Sequence, residues 1–305
     1  MNKNWAHPYH RSATALKLSA SVFFLLYFSV SAWAQGRVDC NAMSSRILKQ
    51  TVRYCVLLPT GYDSQKAHRY PILYFLHGLG ENEQVLFQGG GWNVVEDLRQ
   101  KKKIGDFLIV TPAARASFYI NSADANVRYS DFFLDEFMPA IETKYRVRRE
   151  RAARAISGVS MGGYGAFRFA FAHPQLFSAV SAESAAFMTQ TPQEMDATMR
   201  SDAQMARLMA PVFGNPIRAA HWEENSPFAL ARENKTEIVN LAIYFNCGKD
   251  DDFGFDSGAQ AMDRQLREEG VKHEYHLYEG NHGMEYFLAH LEEVLEFHSR
   301  HFGNL

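Results

Sequence analysis

The stretch AISGVSMGGYGAFRFAFAHP, residues 155–174, places Ser160 between Gly158 and Gly162, with Gly163 and Gly165 following closely. Glycine lets a backbone turn without a Cβ clash and lets another group come near. Ala155, Ile156 and Val159 read as a short buried strand, and Tyr164, Phe167, Phe169, Ala170 and Phe171 read as a helix. A strand, a glycine-flanked turn and a helix are the parts of a nucleophile elbow, which exposes a serine on a strained turn at the edge of a sheet. By itself Gly-x-Ser-x-Gly is weak, since average residue usage produces it in roughly one chain in ten of this length. The rest of the chain has to supply a base, an orienting acid and oxyanion donors.

With 305 residues and 47% hydrophobic content, the chain can bury a large core, and one α/β domain is the simplest reading. The formal net charge of -2 gives no reason to expect a nucleic-acid partner. Two basic runs, Lys101 to Lys103 and Arg148 to Arg154, are read as solvated helix ends or loops. At the amino terminus, Lys3, Arg11 and Lys17 precede LSASVFFLLYFSVSAWA, and Ala32-Trp33-Ala34 has the small-x-small pattern of a signal-peptidase site. Residues 1–34 are therefore expected to be a secretory signal, with the mature domain spanning 35–305 and no stable membrane insertion after cleavage. An uncleaved anchor is the alternative, although the apolar run falls short of the ~20 residues of a spanning helix. Export gives the three cysteines a meaning, because disulfides persist in oxidising compartments. Cys40 and Cys55 are expected to bridge an entering segment to the first hairpin, leaving Cys247 as a small buried hydrophobe.

Short apolar runs at 70–76, 107–111, 155–159, 177–184, 241–247 and 273–279 read as strands, separated by helix-length segments at 94–103, 129–145 and 258–270. In the last of these, Ala261, Met262 and Leu266 are assigned to the buried face. The alternation predicts a mostly parallel sheet covered on both faces, with an antiparallel hairpin around 46–58 on its edge. Between 185 and 240 no strand is evident, and the prolines, methionines and aromatics there predict a small helical cap over the carboxyl edge, where such sheets bind ligands.

Strand ends also hold the partners Ser160 needs. His282, in YEGNHGMEYF after the last strand, is the candidate base. The candidate acid is Asp250, Asp251 or Asp252, in NCGKDDDFGFD. Ser, then Asp, then His is the chain order of α/β-hydrolases. FLHGLGENE at 75–83 makes the Leu79 N–H the candidate first oxyanion donor. The Met161 N–H, at the start of the helix after the serine, is the second. His77 is read as a buttress of that loop.

With these residues assembled, the chain resembles the esterase D family of α/β-hydrolases, which includes formylglutathione hydrolases, feruloyl and acetylxylan esterases and mycolyltransferases. The resemblance runs from about Leu48 to the end and rests on LHGLG, SGVSMGGYGA, CGKDD and GNHGMEYF. It implies an α/β-hydrolase fold, Ser160 as nucleophile, His282 as base, and Leu79 and Met161 as oxyanion donors. It also ranks the aspartates, because the family's acid stands three residues after the glycine of the CG pair, at Asp251. The implied activity is a secreted serine carboxylesterase acting on a small-molecule or carbohydrate-linked ester; an acyltransferase to a sugar or lipid hydroxyl and a non-catalytic binding module are the other readings. No metal cluster or dinucleotide fingerprint is found, so no cofactor is expected.

Overall fold

In the strand Ile72–Leu76 every residue is buried, and alternate side chains enter two different cores. Ile72, Tyr74 and Leu76 join one, Leu73 and Phe75 the other. A strand with apolar residues on both faces belongs in the middle of a sheet covered by helices on both sides. The computed structural model, which describes residues 36–303 together with Met1, Asn2 and Asn4, has this arrangement. Contacts divide the chain into Met1–Trp33 and Ala34–Leu305, and the architecture below is that of the second unit. The expected signal peptide and the mature start at Gln35 fall outside the described residues.

Eight strands form one sheet: β1 (Arg37–Ser45), β2 (Gln50–Leu58), β3 (Ile72–Leu76), β4 (Leu108–Pro112), β5 (Arg154–Val159), β6 (Ala179–Glu183), β7 (Ala242–Gly248) and β8 (Glu274–Tyr278), in the spatial order β1-β2-β4-β3-β5-β6-β7-β8. β1 and β2 form an antiparallel hairpin and β2 meets β4 antiparallel; from β4 to β8 every pairing is parallel. The edge hairpin expected around 46–58 begins earlier, since residues 46–49 are its turn and β1 lies before them. β1 is made of exposed and half-buried residues until the buried Ser45 at its end, so it lacks the apolar run that marks the inner strands. Cys40 and Cys55 sit directly opposite each other in this hairpin and are joined by a disulfide.

One face is covered by the helices Gly91–Gln100 and Met284–His301, through Val95, Leu98, Leu291, Val294 and Leu295. Residues 129–144 cover the other face as one helical run with a π-helical segment at Phe132–Phe137, beside Met161–Ala172. Phe133 stacks on Phe169 at 4.6 Å between these two helices. Between β6 and β7 lie five helices within 192–238, in the interval read as a cap.

Two readings are corrected. Arg154 is buried, with Nε and Nη2 donating to Glu142 Oε1 and Oε2 at 2.7 and 2.9 Å. This bidentate pair anchors the start of β5 to the helix Met138–Lys144, and the charge run hid it because three of its four arginines are more open. In the helix Phe255–Glu268 the buried alanine is Ala259, one turn before Met262 and two before Leu266, while Ala261 is only half-buried.

Candidate active site

Ser160 follows β5 directly, at φ 54° and ψ -118°. For a residue with a Cβ this region is strained by roughly 1–3 kcal/mol, and it persists only where the surroundings impose it. Here they do so through the backbone. The Ser160 N–H donates to Glu183 O at 3.0 Å, and its carbonyl accepts from Ala186 N and Tyr164 N at 3.0 and 3.1 Å. The crowding of glycines has a steric cause. A Cβ on Gly158 would lie 2.3 Å from the Gly162 carbonyl, and one on Gly162 would lie 2.0 Å from Leu76 O. Only bare backbone lets the helix Met161–Ala172 start this close to β3 and β5.

His282 lies in the loop between β8 and the helix Met284–His301. Its Nδ1 is 2.7 Å from Asp251 Oδ2, with both side chains almost wholly buried. The other carboxylate oxygen, Oδ1, accepts from the N–H groups of Phe253 and Phe255 at 3.0 and 3.3 Å, and these two bonds aim the aspartate. Burial pushes the Asp251 carboxyl up, but the hydrogen bond and charge of His282 and the two N–H donors outweigh it, holding the group below its ordinary value. The loops are tied by backbone as well, through Asp250 N to Gly280 O at 3.0 Å and Lys249 N to Tyr278 O at 2.8 Å. Of the three candidate aspartates, Asp250 is exposed, and Asp252 accepts the His282 backbone N–H at 3.2 Å. Asp251 is the one that meets the imidazole.

Neither Ser160 Oγ nor His282 Nε2 has a hydrogen-bond partner among the described residues. Such contacts are often open without substrate. The N–H groups of Leu79 and Met161 likewise have no acceptor there. His77 is fully buried, its Nδ1 2.7 Å from Gly78 O and its Nε2 accepting from Ala114 N–H at 2.9 Å. An imidazole that accepts at Nε2 and donates at Nδ1 is neutral, in keeping with the downward push of burial on its pKa. His77 thus braces the Leu79 loop against the loop after β4.

The sequence reading missed three features. Phe253, Phe255 and Phe287 present their rings edge-on to His282, with centroids 4.8, 5.4 and 5.4 Å away. The first two lie inside the acidic stretch already quoted, where the carboxylates drew the attention. Cys247 is more than an apolar filler, because its thiol lies 3.6 Å from Asp251 Oδ2 and burial pushes its pKa up to about 12. Glu81, in HGLGENE, accepts the Gly78 N–H at 2.7 Å. A cleft of about 630 Å³ opens beside this loop, walled by His77, Glu81, Arg53, Tyr129 and Val212; neither Ser160 nor His282 lines it. Among the described residues no cluster of His, Cys, Asp or Glu is arranged to hold a metal ion, and no helix is long and apolar enough to cross a membrane.

Residues 45–298 match the model of the Esterase family, described as "Putative esterase". The chain belongs to the Esterase family. Among curated relatives, this Esterase-family chain is 26% identical over 252 residues to an esterase of Mycobacterium tuberculosis, covering 74% of its own length and 51% of the relative's. It therefore spans about half of that protein. It is 24% identical over 264 residues to an acetyl esterase of Caldicellulosiruptor saccharolyticus, covering 84% of itself and 96% of the relative. Among solved structures, a ferulic acid esterase superposes with a TM-score of 0.75 at 29% identity, over 88% of this chain and 99% of that one. An S-formylglutathione hydrolase from Staphylococcus aureus superposes at 0.69 with 20% identity, over 87% and 99%. The Esterase-family chain has the α/β-hydrolase fold that its motifs imply.

Proposed function

We propose that the chain is an exported serine carboxylesterase. The observation that carries this reading is the 2.7 Å bond between His282 Nδ1 and the buried Asp251, at the same sheet edge as the strained Ser160. Ser160 Oγ attacks the ester carbonyl while His282 Nε2 takes its proton. Asp251 holds the Nδ1–H tautomer and balances the imidazolium. The Leu79 and Met161 N–H groups receive the oxyanion. The imidazolium then protonates the departing alcohol, leaving an acyl-Ser160. Water, deprotonated by His282, attacks this acyl-enzyme; the acid leaves and Ser160 Oγ regains its proton.

The acetyl and ferulic acid esterases among the similar proteins support a small-molecule or carbohydrate-linked ester of a small carboxylic acid as the substrate class. The Cys40–Cys55 disulfide and the charged-then-apolar amino terminus support export. Labelling with a fluorophosphonate tests the nucleophile. The parent is expected to label and to hydrolyse nitrophenyl esters, and a folded Ser160→Ala protein to do neither; undiminished labelling of that variant would put the nucleophile elsewhere. Nitrophenyl esters of rising chain length, with methyl ferulate and acetylated xylan alongside, define the acyl and alcohol groups. Peptide mapping of exported, unreduced protein is expected to give a terminus at Gln35, and an intact Lys3 to Lys17 segment would refute cleavage.

A further inference from the structure

Glu81 takes no part in the mechanism above, yet its charge stands beside it. A point one Cβ bond out from Gly78 lies 3.0 Å from Glu81 Oε2 and 3.5 Å from Ser160 Cβ, so the carboxylate and the serine share one side of the Gly78 backbone. The bond from Gly78 N–H at 2.7 Å holds the carboxylate there. Among the described residues no lysine or arginine pairs with it. It also forms part of the wall of the 630 Å³ cleft. Burial pushes its carboxyl up, and the Gly78 N–H and the charge of His282 counter this only in part.

We propose that Glu81 is a specificity-determining residue, a carboxylate held beside Ser160 by the Gly78 N–H with no lysine or arginine paired to it, which makes the site reject esters carrying a negative charge near the scissile bond. The inference rests on Ser160 being the nucleophile. Two like charges about 6 Å apart at a partly buried site repel strongly enough to change a rate by tens of fold. An uncharged acyl group of the same length escapes this repulsion.

The test compares kcat/KM for 4-nitrophenyl hydrogen succinate and 4-nitrophenyl butyrate, whose acyl chains have equal length and differ in the terminal carboxylate, at neutral pH. Glu81→Gln keeps an acceptor for the Gly78 N–H and removes the charge; Glu81→Ala removes both. In each variant the succinate-to-butyrate ratio is expected to rise about tenfold or more over the parent. Reading a ratio makes the result independent of any general loss of activity. A rise that falls clearly short of this in either variant, with hydrolysis still dependent on Ser160, overturns the role of Glu81 and leaves the esterase reading standing. Hydrolysis that survives Ser160→Ala overturns both.

Discussion

In the loop before the final helix, His282 meets an aspartate; in the last turn of the same helix, His298 meets a serine. Ser181 Oγ on β6 lies 2.8 Å from His298 Nε2 and 2.7 Å from Ser157 Oγ on β5. This second serine–histidine pair is fully buried, and His298 Nδ1 has no hydrogen-bond partner among the described residues. With Ser181 donating on to Ser157, His298 donates to Ser181 and cannot also accept its proton. Nothing orients or balances a positive charge there, and burial drives the pKa of His298 down to about 3. At the sheet edge His282 has a buried carboxylate on Nδ1, and Ser160 is held in its strained conformation by backbone hydrogen bonds, with neither His282 Nε2 nor the Ser160 hydroxyl bonded among the described residues. A serine beside a histidine is therefore not enough. The acid behind the imidazole and the open face in front of it separate the two sites.

The largest effect should come from removing that acid. Asp251→Asn leaves the shape nearly unchanged but favours the wrong tautomer, and turnover should fall at least about a hundredfold in steady-state assays. A loss of less than tenfold would mean that His282 is oriented by something else, with Asp252 the next candidate through its bond to the His282 N–H.

The core pair should show itself in stability. Its folded-state pKa of about 3 lies below the ordinary 6.5, so as pH falls from 7 to 5 the unfolded chain binds a proton at His298 that the folded chain refuses. Stability present above about 6.5 is lost below it, by about 2 kcal/mol at pH 5. In His298→Gln the drop in unfolding free energy between pH 7 and pH 5, measured in urea, should shrink by about that amount. An unchanged drop would show that His298 does not control the acid limb.

Ser181→Ala sharpens the contrast from the other side. Removing this hydroxyl leaves the buried His298 Nε2–H without an acceptor and should cost about 1–3 kcal/mol of stability, while kcat stays within about threefold of the parent. Loss of fluorophosphonate labelling in a folded Ser181→Ala protein would break the distinction drawn here. The smallest effects belong to the flanking carboxylates: Asp250→Asn and Asp252→Asn should each stay within about tenfold of the parent in kcat/KM, Asp252 the more affected because it holds the His282 backbone.

Much of the fold could be read before any coordinates, because its signals are local. Buried strands such as Ile72–Leu76 must be apolar on both faces, and the turn at Ser160 needs Gly158 and Gly162 whatever the rest of the chain does. The order Ser160, Asp251, His282 follows from which strands carry them to the sheet edge. What stayed hidden depended on direction rather than on residue type. DDD at 250–252 offers three carboxylates that residue type alone cannot rank; the family register singles out Asp251, and the loop geometry, with Phe253 and Phe255 N–H groups gripping it, gives the physical reason it turns toward the imidazole. Arg154 reads as one more solvated charge until Glu142, twelve residues earlier on another element, closes around it. Glu81 reads as a loop acid until the turn folds it back onto Gly78 beside Ser160. Backbone hydrogen bonding and burial repeat at fixed short intervals and so leave a pattern in the chain, whereas the partner of a charge is set by where distant segments meet, which only the packed structure decides.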